Sequence, residues 1–363
     1  MEKVRLGSQI KQIRGVSYKP TDLHNDLNDN SVILLRANNI SDGKLNFDDV
    51  VYVDKSKVKE EQYLKKGDIL VCASSGSKEL VGKAAFVKKD FTATFGAFCK
   101  LIRPMGCIAE YLGHYFNSPT YREKISALAL GANINNIRNE HIDELFVCFP
   151  NELEQKSIAS LLDKVTNLID KRKEQLSKLD ELVKARFIEL FYGKGYPTLK
   201  WNEVFNTTTG KLDSNAMVED GEYPFFTCAK EVFRIDKYAF DQEALLLAGN
   251  NAAGKYDVKY YKGKFNAYQR TYVLGLKEDW SYQLFRYQLE DKLVYLQQQS
   301  LGGLTKYLTL KILGELEFIV PPMDNQNEFT AFVEQTDKSK MEVQKSLEKL
   351  ELLKKALMQK YFG

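Results

Sequence analysis

The chain has 363 residues, 44% hydrophobic and 28% charged, a globular composition that excludes a disordered chain. Lys and Arg number 52 against 49 Asp and Glu, so the formal net charge is only +3 and a uniformly basic surface is excluded. No apolar run is long enough to span a bilayer, and the N-terminus lacks a signal-peptide core, so a soluble cytoplasmic protein with no membrane partner is expected.

In chain order, short apolar or alternating runs at 32–35, 50–53, 68–72, 84–87 and 98–102 predict strands separated by turns. A helical segment follows over 109–130, then the loop Gly131-Ala132-Asn133 and a strand over 145–149. After Pro150 the chain runs to Tyr192 without Pro or Gly. A 3-4 spacing there selects Leu162, Val165, Ile169, Arg172, Leu176, Leu179, Val183, Arg186 and Leu190, a coiled-coil seam. Asn151 is placed as N-cap with Glu154 as its capping-box partner, and Gly193 and Gly195 end the helix. Strands recur at 223–227, 244–248, 258–261 and 271–274, then a helical segment over 280–299 and the loop Gly302-Gly303-Leu304. A last strand over 316–320 leads through Pro321 into a second long helix. Its seam is Val333, Thr336, Lys340, Val343, Leu347, Leu350, Lys354, Leu357 and Tyr361.

The chain therefore contains itself twice. Lys178-Leu179-Asp180-Glu181-Leu182 aligns with Lys349-Leu350-Glu351-Leu352-Leu353, and at the same offset Pro150 meets Pro321 and Gln155 meets Gln326. The expected order is a globular domain over 1–150, a rod over 151–193, a second domain over 194–320 and a second rod over 321–363. The fold class is α+β, two repeated mixed α/β domains joined by two long helices. About 40 residues at 1.5 Å each make a rod of roughly 60 Å, longer than a small domain needs, so the two rods should pair with each other. Val81-Gly82-Lys83 resembles Ala253-Gly254-Lys255, whereas the neighbouring loops differ, as two different ligands would require.

Chemistry is sparse. The five cysteines are scattered without a Cys-x-x-Cys pair and no His-x-x-x-His occurs, so neither a disulfide framework nor a metal site is expected. Gly76 to Lys83 fails as a phosphate loop, with five residues between its glycines and Ala84 where a hydroxyl should follow the lysine. Val320-Pro321-Pro322-Met323 lacks the polar and aromatic residues of an amino-methyltransferase motif. No catalytic residue is assigned.

The layout resembles the specificity subunits of type I restriction-modification systems. The matching pieces are Leu34-Leu35-Arg36-Ala37-Asn38-Asn39-Ile40, Lys66-Gly67-Asp68-Ile69-Leu70, the Gly131 loop, and Phe149-Pro150 followed by Glu154-Gln155-Lys156-Ser157-Ile158-Ala159. In the second copy Met323-Asp324-Asn325-Gln326 stands where the first has Glu152-Leu153-Glu154-Gln155, so the acidic residue before Gln is missing, and Cys228 stands where the family more usually has Asn or Asp. The resemblance implies two target recognition domains, each reading half of a bipartite double-stranded DNA site. It implies rods that pair as an antiparallel coiled coil and dock methyltransferase subunits, and then a nuclease-translocase subunit. Methyl donor, ATP and Mg would belong to those partners, with no cofactor in this chain. A structural two-headed spacer binding proteins, or a fragment of a DNA-modifying enzyme, are the alternative readings.

On that reading the polar loops are the candidate base readers, since Asn and Gln can pair with adenine and Arg with guanine. In the first copy these are Arg36, Asn38, Ser74, Ser75, Ser77, Lys78, Asn133, Asn135 and Asn136. In the second they are Asn250, Asn251, Gln269, Arg270 and Lys306. Lys255, Lys259, Lys262, Lys264 and Arg270 interleave with five aromatic residues, either as a phosphate-contacting surface, with Lys255 and Lys262 as its candidates, or as a solvated hairpin face. By charge the first domain carries 21 basic against 18 acidic residues and the second 16 against 16, weak support for DNA binding.

Overall fold

A computed structural model describes residues 3–363 apart from 78, 129–134, 253 and 304. Its contacts divide the chain into two units, Met1–Lys173 with Lys345–Gly363, and Glu174–Gln344. Each unit holds one globular part and a portion of both rods.

The first unit has two four-stranded sheets. One is antiparallel, in the order Ala84–Phe86, Ile69–Cys72, Cys99–Pro104, Ile10–Arg14. The other is mixed, in the order Ala93–Phe95, Ser31–Leu35, Val51–Asp54, Leu23–His24, with its first pair parallel. Ile69–Cys72 is buried at every residue, which is why it reads as an unbroken apolar run. Burial also pushes the Cys72 thiol up to about 11. The helical segment expected over 109–130 is broken: Ala109–Phe116 ends, Ser118 accepts from the Tyr121 N–H at 3.2 Å, and Pro119 opens Pro119–Leu128. Proline suits the first turn, where its missing N–H has no partner to lose.

The second unit builds one mixed six-stranded sheet instead. Its order is Phe205–Thr209, Thr271–Leu276, Phe240–Ala248, Val258–Ala267, Tyr223–Phe226, Phe233–Ile235. The segment expected over 280–299 is likewise two helices, Tyr282–Asp291 and Leu293–Gln299, with Ser281 capping the first. Gly82 and Gly254, matched by sequence, both adopt positive φ, which fixes glycine at each place.

The rods are single helices, Glu152–Phe191 and Met323–Phe362. Asn151 caps the first, its Oδ1 accepting from the Glu154 N–H at 3.0 Å. The expected seam follows the burial: Leu162, Val165, Ile169, Val183, Val333, Thr336, Val343 and Leu347 are buried, while Leu176, Leu179 and Leu350 are half-buried. Within the first unit Leu162 shares a core with Met358 and Phe362, and Lys173 pairs with Glu351. Within the second unit Val183 and Phe191 share a core with Phe329 and Val333, Lys340 pairs with Asp180 at 2.7 Å, and Arg186 pairs with Glu328. In each unit partner numbers fall as first-rod numbers rise, so the helices run antiparallel.

A buried glutamine ties each rod to its globular part. Gln155 accepts from the Ile108 N–H at 2.9 Å and donates to the Pro150 carbonyl at 2.7 Å. Gln326 accepts from the Ser281 N–H at 3.0 Å and donates to the Pro321 carbonyl at 2.8 Å. Ile108 and Ser281 are the N-cap residues of helices Ala109–Phe116 and Tyr282–Asp291, so the amide bound is one that its helix leaves unpaired. The second copy thus keeps the joint despite lacking the acidic residue before its glutamine.

Candidate nucleic-acid interface

Each unit extends a central strand into a two-stranded ribbon. In the first, Ser74–Ser75 pairs antiparallel with Asn135–Asn136, Ser75 opposite Asn135 and Ser74 opposite Asn136. In the second, Asn250–Asn251 pairs with Lys306–Tyr307, Asn250 opposite Tyr307 and Asn251 opposite Lys306. The ribbons stand on equivalent main-chain bonds. The Ile137 N–H donates to the Ala73 carbonyl and the Leu308 N–H to the Gly249 carbonyl, both at 2.8 Å. Behind them, the Ala73 N–H donates to Phe98 O at 2.9 Å and the Gly249 N–H to Arg270 O at 2.8 Å. The supporting turn is also shared, with Cys99 N–H to Gly96 O matching Thr271 N–H to Tyr268 O.

These bonds put the two copies in register residue by residue. Ser74 corresponds to Asn250, Ala97 to Gln269, and Phe98 to Arg270. Gly249 is held to glycine by this close approach, because a Cβ there would lie 2.4 Å from the Arg270 carbonyl oxygen.

The candidate residues sort accordingly. Asn250, Asn251 and Lys306 meet in one ribbon, and Lys255 joins them because its N–H donates to Asn251 Oδ1 at 3.3 Å. Gln269 and Arg270 are exposed at the foot of that ribbon. Ser74, Ser75 and Asn136 meet in the first ribbon with the backbone of Asn135, and Ser77 bends back to Ser75 Oγ at 3.1 Å. Lys78 and Asn133 lie outside the described residues.

Three other candidates bond carboxylates beside or away from the ribbons, as Gln269 Nε2 also does with Asp213 Oδ2 at 3.4 Å. Arg36 flanks the Gly96 turn, because the preceding Leu35 carbonyl accepts from the Gly96 N–H, but its Nη2 is bonded to Asp49 Oδ2 at 3.0 Å. Asn38 Nδ2 donates to the same oxygen at 2.8 Å, so both side chains are spent on a turn. Lys262 stands opposite Glu243, four residues beyond the ribbon-proximal pair of Val258 and Leu247, and bonds that carboxylate at 2.9 Å. The Lys–Tyr cluster is therefore not one basic face. Lys259 is engaged by Asp257 and the Ala229 carbonyl, and Lys264 lies over the Tyr238 ring at 4.8 Å.

Sequence reasoning missed Phe98. It placed this residue inside a strand over 98–102, but the strand is Cys99–Pro104 and the Phe98 side chain is 68% exposed. Aligning Cys99-Lys100-Leu101 with Thr271-Tyr272-Val273 would have set it against Arg270. Chemically, the first ribbon offers hydroxyls, an amide and an aromatic ring, and the second offers amides with three cations nearby. Both sets suit base edges and phosphates in a groove.

Comparison with known proteins agrees with this doubled construction. The chain is 42% identical over 173 residues to the type I restriction enzyme StySPI specificity subunit of Salmonella potsdam, covering 47% of this chain and 37% of that protein. It is 41% identical over 193 residues to the EcoKI specificity subunit of Escherichia coli K12, covering 52% and 41%. These matches take in well under half the length of each relative. In fold it is similar to the type I restriction-modification system S subunit from M. genitalium, with a TM-score of 0.65 at 16% identity over 99% of this chain and 96% of the other. A chain from a study of complex assembly and conformational transition of the type I R-M system aligns at a TM-score of 0.51 and 14% identity, over 99% and 98%. Residues 2–181 and 194–354, one span for each copy of the repeat, match the type I restriction modification DNA specificity domain, and the chain belongs to that family.

Proposed function

We propose that this chain is the noncatalytic DNA-recognition subunit of a type I restriction-modification complex. Each domain reads one half of a bipartite double-stranded site through its ribbon and the turn at the ribbon's foot. One observation carries this reading: the same ribbon is built twice on matching main-chain bonds while its side chains differ. A spacer with two protein-binding heads has no need of an identical frame with exchanged polar readers.

The rods support docking of methyltransferase subunits. Beside the buried seam, the first rod exposes Leu161 and Leu168, seven residues apart, in the first unit, and Leu182 and Ile188 in the second. Exposed apolar residues on a helix, Leu161 and Leu168 at heptad spacing among them, fit a partner helix. Among the described residues no helix is long and apolar enough to cross a membrane. Such a complex would work in the cytoplasm, beside the chromosome, with methyl donor, ATP and Mg held by the methyltransferase and nuclease-translocase subunits. The test is to express the chain with its methyltransferase and sequence the host's methylated sites. Replacing residues 194–320 by the equivalent part of a relative should change one half of the methylated sequence and keep the other. Change in both halves, or in neither, would refute the two-reader assignment.

A further inference from the structure

The ribbons share one more support, made from unlike side chains. On strand Cys99–Pro104, Lys100 follows Cys99, which stands opposite Cys72. On strand Thr271–Leu276, Tyr272 follows Thr271, which stands opposite Ala248. Lys100 and Tyr272 are therefore at the same place in the two copies. Lys100 Nζ donates to the Ile137 carbonyl at 3.2 Å, and Tyr272 OH donates to the Leu308 carbonyl at 3.0 Å. Ile137 and Leu308 are themselves equivalent, each the first residue after its ribbon and each buried.

Two side chains of different length and chemistry thus end on one main-chain oxygen. Each of those residues is gripped twice, its N–H by a carbonyl beneath the ribbon and its carbonyl by the strand side chain. Lys100 is buried and also bonds Asn139 Oδ1 at 2.6 Å, so its ammonium is committed on two sides. A buried lysine is costly to keep where an apolar residue would pack, unless what it holds matters.

We propose that Lys100 and Tyr272 are positioning residues for base recognition, each fixing the height and register of its own ribbon without touching DNA. This rests on the reading of the ribbons as DNA-contacting elements. Neither side chain was a candidate by sequence, because an isolated Lys or Tyr in a strand carries no local signature.

The test uses the full chain with its methyltransferase and a randomised duplex library, together with amide hydrogen exchange of the same samples. Lys100→Met keeps the stem and removes the donor, and Tyr272→Phe keeps the ring and removes the hydroxyl. Lys100→Met should speed exchange in 135–137 and blur base preference in one half-site, leaving 306–308 and the other half-site as in wild type. Tyr272→Phe should do the reverse. A bond of this kind sustains roughly a two- to tenfold preference, so each loss should fall in that range. Lys100→Arg, which restores a donor, should recover most of the discrimination, which bare packing would not predict. If wild type enriches no sequence, the DNA reading fails and this proposal with it. If wild type enriches a bipartite site and the variants leave both halves sharp, or blur both together, the positioning role alone is wrong.

Discussion

The two globular domains distribute charge in opposite ways. The first has three more basic than acidic residues over 1–150, yet among the described residues its ribbon offers only Ser74, Ser75, Asn136 and the exposed Phe98. The second is neutral over 194–320, yet gathers Lys255, Lys306 and Arg270 around its ribbon. Domain totals therefore say little about a binding face. In the second domain much of the remaining charge is consumed internally, as in Lys262 with Glu243. What the domains share is a main-chain frame at one end of a sheet, even though one builds two four-stranded sheets and the other a single six-stranded one.

This comparison can be broken most forcefully at the rods. Leu162→Asp places an unpaired charge in the dry core with Met358 and Phe362 and should cost about 3–5 kcal/mol in urea unfolding. Leu168→Asp, on the exposed stripe, should cost under about 0.5 kcal/mol but weaken co-purification with the methyltransferase. Equal losses in unfolding would show that the two stripes are not distinct.

If the two glutamine joints are truly equivalent, Gln155→Leu and Gln326→Leu should destabilise alike, by about 2–3 kcal/mol, since each strands a part-buried N–H and a buried carbonyl. A large loss at one and none at the other, in thermal melts, would separate the copies.

At the ribbons, Arg270→Ala or Gln269→Ala should relax choice at about one position of one half-site, by roughly 1–3 kcal/mol. Phe98→Ala should alter the other half-site, read from methylated sequences. Arg270→Ala and Lys306→Ala should also flatten the salt dependence of binding, whereas Lys262→Ala, already paired with Glu243, should change it less. A steep effect from Lys262 and none from Lys306 would return the phosphate surface to the Lys–Tyr hairpin.

The smallest contrast is in pH. Burial pushes Lys100 down from 10.5 to about 8, against the opposing pull of Asp143 and Glu140, with Arg14 across the ladder. The folded first domain then holds fewer protons than the unfolded chain between those values, so this group makes stability rise with pH across that window. One proton sets the ceiling at about 1.4 kcal/mol per pH unit. Burial moves Tyr272 the other way, above its ordinary 10, so near the top of that window it makes stability fall with pH. Subtracting the pH 8–10 slope of Lys100→Met from that of wild type isolates the effect, and identical slopes would remove it.

The rods were legible because a 3-4 spacing of apolar residues is a local pattern that survives 40 residues of charge. The ribbons were legible only as loops. A two-residue strand has no period, and its partner lies about sixty residues away in sequence, so Ser74 and Asn136 could be nominated but not paired. Arg36 and Asn38 show the converse limit. Their types suited base reading, and nothing nearby in sequence revealed that Asp49 takes both. Phe98 was hidden because an aromatic beside a strand reads as core until the strand's first residue is known.

The joint between rod and domain has a consequence for how such genes diversify. On the domain side Gln155 and Gln326 grip only a main-chain amide, belonging to Ile in one copy and Ser in the other. A grip of that kind is blind to side-chain identity. Recombination that trades one domain for an unrelated allele delivers a fresh amide to the waiting glutamine, provided a helix begins at the same point. At that contact a crossover needs no compensating change in the rod, whereas the side-chain contacts beside it, His114 with Asp163 and Ser281 with Thr330, would have to be remade.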